Sequence, residues 1–213
     1  MTDRRGVLRR RGLVASLVAA AAAGAIVVFA LPRGWQAEPL PVLGAVPEFI
    51  LTERSGRPIR RSDLDGTPWV ADFVFTHCTG MCPALSARLA DVRRRAAEAG
   101  VPARYVSFSV DPANDTPEVL RQYAERVGAT GTDWYFVTGS RDALYDLIGK
   151  GFKLSVEERS PAAVTASGGE LIAHSDRFVL VDGAGQIRGY YHGLDADTPD
   201  RLLRDLATLS AAP

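Results

Sequence analysis

The chain has 213 residues, of which 46% are hydrophobic, and its 25 basic and 25 acidic side chains give a formal net charge of zero. This length is enough for one ordinary hydrophobic core, so a second full domain is not expected. Six arginines and one aspartate lie in the first 33 residues, which leaves 19 basic and 24 acidic side chains in the remainder. That balance gives no indication of the basic groove that nucleic-acid binding requires.

Residues 13–31 are an uncharged run of 19 residues that follows the arginine-rich segment 1–12. The run is long enough to span a bilayer and longer than most signal-peptide apolar regions, so it predicts a single transmembrane anchor. The positive-inside rule places residues 1–12 in the cytoplasm and the rest of the chain on the outer, periplasmic side of a bacterial cytoplasmic membrane. Two alternatives remain open: cleavage after Ala30, and export by a twin-arginine signal.

Residues 32–46 contain several prolines and are predicted to form an extended linker, followed by one folded domain over residues 47–213. That domain begins with a hairpin over residues 49–59, and the apolar run 69–75 predicts a buried central strand. The other predicted elements are, in chain order, helix 83–99, strand 104–110, helix 117–127, strand 133–138, helix 141–150, a polar surface loop 155–170, strands 177–182 and 186–191, and helix 198–209. This order predicts an α/β, thioredoxin-like fold with an extra N-terminal β-hairpin and an inserted loop.

The loop before the second predicted helix of the domain carries two aspartates. Asp115-Thr116-Pro117-Glu118 matches a capping box with proline in the first turn. We therefore assign Asp115 to the helix cap and Asp111 to support of a turn, and neither to catalysis.

Cys78 and Cys82 are the only cysteines, and three residues separate them. A buried strand precedes the pair, and Pro83 suits a first helical turn, so Cys82 is expected at or beside a helix N-terminus, where the helix dipole favours a thiolate. The pair is close enough in sequence to form a disulfide or to share one ion. A plain structural disulfide is the alternative.

The spacing of the two cysteines also differs from the two-residue spacing of thioredoxin-like redox motifs. Outside the cytoplasm, working thiols need a reductant or a bound metal to stay reduced.

Three histidines are candidates for a third ligand. His77 adjoins the first cysteine at a strand end, where neighbouring side chains point to opposite faces. His192 ends the predicted hairpin and is interpreted as a satisfied polar residue. His174 immediately precedes strand 177–182, and in a thioredoxin-like fold the loop at that point packs against the cysteine loop. Redox members of the fold commonly have a cis-proline there, whereas residues 162–198 contain no proline.

Several short motifs occur in a fixed order across residues 47–209. They are Asp72-Phe73-Val74-Phe75-Thr76 ahead of Cys78-x-x-x-Cys82-Pro83, Ser109-Val110-Asp111-Pro112 with Asp115-Thr116-Pro117, His174-Ser175 before Phe178-Val179-Leu180-Val181-Asp182, and Tyr190-Tyr191. In these motifs the chain resembles the Sco/SenC family of copper chaperones for cytochrome c oxidase, whose members typically have an N-terminal membrane anchor. The resemblance implies that Cys78, Cys82 and His174 are copper ligands. Thr79 stands where the family often has proline, which removes no ligand.

The ligand set that the resemblance implies has two thiolates and one imidazole, a soft site that suits Cu(I) and tolerates Cu(II). Zinc could use the same three groups with a water, but the sequence supplies no fourth protein ligand and no obvious general base. Met81 is expected to pack rather than to bind metal. The leading hypothesis is therefore a membrane-anchored metallochaperone. It would deliver copper to the binuclear site of oxidase subunit II, with a thioredoxin-like protein as its reductant. The alternatives are an exported thiol-disulfide oxidoreductase, which would reduce cysteines of that subunit or of another partner, and a redox or copper sensor.

Overall fold

The computed structural model describes residues 39–78, 80–158 and 172–211, with the backbone alone at residues 157–158 and 172–174. Residues 39–213 form one compact unit. The basic segment 1–12 and the predicted anchor 13–31 lie outside the described residues. Within the described ranges, no helix has both the length and the apolar character needed to cross a membrane.

The secondary structure alternates between strands and helices, as the sequence predicts. The elements are β1 (Gly44–Ala45), β2 (Ile50–Glu53), β3 (Pro58–Arg60), a 3₁₀ turn (Arg61–Leu64), β4 (Trp69–Val74), α1 (Met81–Glu98), β5 (Arg104–Ser109), α2 (Pro117–Arg126), β6 (Trp134–Thr138), α3 (Arg141–Asp146), a π-helical turn (Leu147–Gly151), β7 (Val156–Glu158), β8 (Ile172–His174), β9 (Arg177–Val181), β10 (Gln186–His192) and α4 (Thr198–Ala211).

Eight strands form one sheet in the order β1-β10-β9-β4-β5-β6-β2-β3, and β7 and β8 form a separate two-stranded sheet. Strands β4, β5 and β6 are parallel, whereas β9 runs antiparallel to β4. The carboxyl ends of β4 and β5 and the start of β9 therefore lie at one edge of the sheet. The cysteine loop after β4 and the segment before β9 that contains His174, which the sequence analysis assigned to the metal site, both adjoin this edge.

The sheet is covered on both faces, and alternate residues of β4 enter two different cores. Trp69 and Phe73 pack in an aromatic cluster with Phe108 and Phe152, in which the Phe73 and Phe152 ring centroids are 5.3 Å apart. Val70 lies in the second core with buried leucines and aromatic residues of the helices that cover the other face. All six residues of β4 are buried, which explains why this strand appears in the sequence as a continuous apolar run interrupted only by one aspartate.

The predicted α/β fold and its N-terminal hairpin are confirmed, because β2 and β3 pair antiparallel and join the sheet through β6. Two parts of the prediction differ from the structure. The predicted loop 155–170 contains strand β7, which pairs with β8. In addition, β1 lies in the range predicted as linker, and its two residues pair with β10.

Helix boundaries differ from the prediction by a few residues. Helix α1 begins at Met81, two residues before the predicted start. The Oγ atom of Ser140 accepts a hydrogen bond from the backbone N–H of Ala143 at 3.3 Å, which confirms the predicted cap of α3. However, that helix is α-helical only to Asp146 and continues as the π-helical turn.

Candidate metal centre

The two cysteines lie at the junction of β4 and α1. Cys78 follows the end of β4, and its backbone N–H donates a hydrogen bond to the carbonyl oxygen of Phe75 at 3.2 Å. Cys82 is the second residue of α1, as the sequence predicts. Both are buried: Cys78 is 7% exposed and Cys82 is fully buried. The backbone N–H of Cys82 donates a hydrogen bond to the Sγ atom of Cys78 at 3.3 Å, so the loop folds back on the first turn of the helix.

The electrostatic environment of Cys82 differs from the expected one. The sequence predicts that the helix N-terminus favours a thiolate, but burial raises the pKa of this thiol, because a buried charge loses its hydration. The neighbouring Cys78 thiol and the carboxyl of Asp72 raise that pKa further, and a hydrogen bond from the backbone of Phe75 opposes them. Burial is therefore the largest influence on the pKa of this thiol, and it acts against the thiolate that the sequence predicts.

Asp72 is a buried acid on β4, on the side of the strand that faces α1. Its Oδ1 atom accepts a hydrogen bond from Ser107 Oγ at 2.6 Å, and that hydroxyl accepts one from Trp134 Nε1 at 2.9 Å. Its Oδ2 atom has no hydrogen-bond partner among the described residues. Burial raises the pKa of Asp72 to about 7. The sequence analysis used Asp72 only as part of a motif, although a single acid inside an apolar strand is itself an indication of an unusual group.

Asp115 does not cap α2, and the assignment made from the sequence was wrong. The cap is Thr116, whose Oγ1 atom accepts a hydrogen bond from the backbone N–H of Val119 at 3.4 Å. Asp115 is instead fully buried, and its carboxylate accepts hydrogen bonds from Thr76 and Ser109. Burial raises the pKa of Asp115, and these hydrogen bonds act in the opposite direction.

Asp111 supports a turn, as predicted. Its carbonyl oxygen accepts hydrogen bonds from the backbone N–H groups of Asn114 and Asp115, at 3.1 and 2.9 Å. Its Oδ2 atom accepts another from Asn114 Nδ2 at 2.8 Å. This turn fixes the backbone of the loop between β5 and α2.

His77 is exposed and belongs with carboxylates rather than with the thiols. Its ring nitrogen and the carboxylate oxygens of Asp111 and Asp115 lie within 4.8 Å of one another. Among the described residues, these three form a group whose spacing is compatible with a metal ion. The sequence analysis separated His77 from the thiols and did not identify this group.

His174 is the last residue of β8, opposite Val156 in β7. Strand β9 begins three residues later, and the register Ala71 to Val179 sets its start at the edge of the sheet where β4 ends. The topology therefore brings the backbone of His174 to the edge that carries the cysteine loop.

Two minor expectations from the sequence are confirmed. His192 is a satisfied polar residue, since its Nδ1 atom is 3.1 Å from the carboxylate of Asp176 and its carbonyl oxygen accepts a hydrogen bond from Thr198 Oγ1 at 2.6 Å. Met81 is partly buried and packs against the helix-covered core.

The central sheet covered by helices and the cysteine pair at a strand-to-helix junction define the class of this protein, which is thioredoxin-like. The sequence profile of the SCO1/SenC family matches residues 41–211, and the chain belongs to that family. A relative from Stutzerimonas stutzeri is 30% identical over 171 residues, which cover 77% of this chain and 78% of that protein. That relative is named for copper binding.

Two solved structures have the same fold. A SCO1/SenC family lipoprotein of Bacillus anthracis superposes with a TM-score of 0.72 at 29% identity, over 81% of this chain and 98% of that one. The protein BsSco superposes with a TM-score of 0.72 at 27% identity, over 83% of this chain and all of the other. BsSco is described as having a disulfide switch and as a member of the Sco family of cytochrome c oxidase assembly proteins.

Proposed function

We propose that this protein is a copper metallochaperone that binds one copper ion through Cys78, Cys82 and His174. The observation that supports the proposal best is the position of the cysteines, Cys78 in the loop just before α1 and Cys82 in its first turn. The backbone N–H of Cys82 donates a hydrogen bond to Cys78 Sγ at 3.3 Å. Copper is favoured because two thiolates and an imidazole suit a soft, low-coordinate ion. The relative named for copper binding supports the same choice.

The residues around the thiols suit a metal that must be held and then released. Cys82 is fully buried and Cys78 nearly so, which limits the access of water and oxidants to the sulfur atoms. Metal binding requires thiolates, so copper displaces the thiol protons as it binds. Cys78 is 7% exposed and is the more accessible of the two, so a partner's ligands would reach it first. Release would then proceed by ligand exchange, one thiolate at a time.

The target that we propose is the binuclear copper site of cytochrome c oxidase subunit II. Its support is membership in a family whose member BsSco is described as an oxidase assembly protein. The proposed topology follows the sequence: residues 1–12 in the cytoplasm, residues 13–31 as the anchor and the domain in the periplasm. Residues 32–46 would then connect the anchor to the domain. A thioredoxin-like reductant would keep the two cysteines reduced in that compartment.

A thiol-disulfide oxidoreductase is the second candidate. The adjacency of the two thiols is compatible with an intramolecular disulfide, and BsSco is described as having a disulfide switch. Such an enzyme would reduce the cysteines of the same oxidase subunit or of another exported partner. The three-residue spacing of the cysteines favours the chaperone over this alternative.

The deciding experiment is a titration of the reduced protein with Cu(I) against a competing chelator, with parallel zinc and disulfide-reductase assays. We expect one copper per chain in the wild type and no tight binding in Cys78→Ala or Cys82→Ala, because one thiolate cannot hold the site. The oxidised protein should not bind, since a disulfide offers no thiolate. Unchanged stoichiometry in either variant would refute the proposal.

A further inference from the structure

We infer that Asp115 is a positioning residue for the cysteine site: it fixes the loop that carries Cys78 from the neighbouring β5–α2 loop. The inference rests on the proposed copper-binding function, and it adds a residue outside the proposed ligand set. It begins from the finding that this buried carboxylate does not cap its helix.

Three hydrogen bonds connect Asp115 to two other segments. Its Oδ1 atom accepts hydrogen bonds from the backbone N–H of Thr76 at 3.2 Å and from Thr76 Oγ1 at 2.6 Å. Its Oδ2 atom accepts one from Ser109 Oγ at 2.7 Å. Thr76 precedes Cys78 by two residues, whereas Ser109 is the last residue of β5. The carboxylate therefore links the cysteine loop to the central sheet.

The bonds between Asp115 and Thr76 lie where the chain leaves β4. The last backbone hydrogen bond between β4 and β5 runs from the N–H of Val110 to the carbonyl oxygen of Val74 at 2.9 Å. Beyond it the chain leaves the sheet, and the N–H of Thr76 would need another acceptor, because buried backbone groups are rarely left without one. Asp115 supplies that acceptor, and the bond from Cys78 N–H to the carbonyl oxygen of Phe75 completes the turn. The direction in which the chain reaches Cys78 is thus set by Asp115.

Asp115 is itself rigidly held. Its backbone N–H donates to the carbonyl oxygen of Asp111 at 2.9 Å, and α2 begins two residues later with Thr116 as its cap. The side chain is fully buried, so its bonds do not compete with bulk water. Carboxylates make stronger hydrogen bonds than neutral acceptors do. Groups that hydrogen-bond directly to metal ligands typically contribute about 10- to 100-fold to metal affinity, and Asp115 acts on Cys78 through Thr76, two residues away.

The test compares Asp115→Ala with Asp115→Asn in the full chain in detergent. Asparagine can still accept both Thr76 bonds at Oδ1 and can donate from Nδ2 to Ser109 Oγ, so it keeps the geometry and removes the charge. Alanine removes all three bonds. We expect Cu(I) affinity to fall about 10- to 100-fold in Asp115→Ala and to stay within about threefold of the wild type in Asp115→Asn.

Asp182 provides a matched control. Its carboxylate also accepts three hydrogen bonds, from the backbone N–H groups of Ala184 and Gln186 and from Arg188, in the β9–β10 turn at the opposite edge of the sheet. Asp182→Ala should lower the thermal unfolding temperature without changing copper affinity. Copper affinities that are equal in Asp115→Ala and Asp182→Ala would overturn the inference. Copper affinity that falls equally in Asp115→Asn and Asp115→Ala would also overturn the inference, because the loss would then come from the missing charge and not from the lost hydrogen bonds.

A readout without metal separates this inference from the proposed function. In the metal-free protein, a loosened loop lowers the effective concentration of one thiol at the other, so the Cys78–Cys82 disulfide should form less favourably against glutathione. We expect the equilibrium constant to fall on the order of tenfold in Asp115→Ala and to stay near the wild-type value in Asp182→Ala.

If the wild type binds no copper, the proposed function fails and this equilibrium alone decides the inference. Should Asp115→Ala fail to fold, Thr76→Val removes one of the three bonds and should give a smaller shift in the same direction. An unchanged equilibrium constant in that variant would contradict the inference.

Discussion

The Sγ atom of Cys78 accepts a hydrogen bond from the backbone N–H of Cys82 at 3.3 Å. The first four N–H groups of a helix have no partner within the helix, and a side chain before it usually caps one of them. Here the residue before α1 is Gly80, which has no side chain to do so. The sulfur of Cys78 therefore acts as the helix cap as well as a proposed ligand, whereas Cys82 is only a proposed ligand.

This double role predicts different effects for two substitutions at Cys78. Cys78→Ala removes the sulfur and the cap, and should cost about 1 kcal/mol of unfolding free energy beyond the loss of copper binding. Cys78→Ser keeps an acceptor and should recover most of that stability but none of the copper affinity. Urea denaturation of both metal-free variants measures the difference. Equal stabilities would show that the sulfur does not cap the helix.

His174 separates the two candidate functions. His174→Ala removes the proposed nitrogen ligand and leaves both thiols, so Cu(II) affinity should fall sharply, Cu(I) affinity should fall less and exchange with a model disulfide should continue. His192→Ala is the control, because His192 is hydrogen-bonded to Asp176 and is not a proposed ligand. For an oxidoreductase, His174→Ala should slow disulfide exchange more than it lowers copper affinity, because there the imidazole would stabilise a thiolate or move a proton. Wild-type copper affinity with lost exchange would favour the oxidoreductase.

The acid Asp72 makes stability depend on pH. Its folded pKa of about 7 is raised above the ordinary value, so the folded state keeps its proton where the unfolded chain has lost it. Stability is therefore greatest below the unfolded pKa and falls as pH rises toward 7, by about 1.4 kcal/mol per pH unit. From pH 5 to pH 8 the loss should be about 3 kcal/mol, as an upper estimate.

Asp72→Asn should remove the part of the pH dependence that comes from Asp72, whereas Asp115, whose pKa burial also raises, contributes in the same direction in both proteins. The nearby groups Cys82 and Tyr123 both have raised pKa values, so they do not titrate in this range. Unfolding free energies from denaturant titrations at pH 5 and pH 8 provide the measurement, with Asp182→Asn as the control acid. If the unfolding free energy changes equally between pH 5 and pH 8 in the wild type and in Asp72→Asn, Asp72 is ionised at both pH values.

The predicted membrane topology is testable independently of the metal site. A reporter fused after Pro213 should be active only outside the cytoplasm, because the arginines before residue 13 favour a cytoplasmic N-terminus. The protein should also resist extraction from membranes by salt. Recovery of a shortened chain in the soluble fraction would indicate cleavage near Ala30 instead.

The sequence predicted the parts of the fold that depend on local periodicity. Strand β4 and helix α1 were recognisable because their apolar residues recur with periods that belong to a buried strand and an amphipathic helix. Strands β1, β7 and β8 were missed, since they have only two or three residues and their pairing depends on distant partners. No local pattern encodes such a pairing.

For the candidate site, the sequence indicates which residues to consider but not their physical surroundings. An aspartate before a helix can cap it or can reach across to another loop, and only the fold shows that Asp115 does the latter. For Cys82, the sequence indicates the helix N-terminus but not how deeply the thiol is buried. Burial then reversed the expected direction of its pKa.

Strand β1 has a mechanical consequence. It is held to β10 by few backbone bonds, including those from Leu43 N–H to the carbonyl oxygen of Ile187 and from Val46 N–H to that of Gly185. Tension applied at residue 39 would load the hydrogen bonds from Arg188 to the carbonyl oxygens of Leu40 and Pro41 first. It would then load the backbone bonds of β1 and peel that strand from the edge of the sheet. Strands β10 and β9 lie between β1 and β4, so the cysteine junction would stay undisturbed while the edge yields. Tension at the N-terminal end of the domain would therefore separate β1 before it reached the cysteine junction.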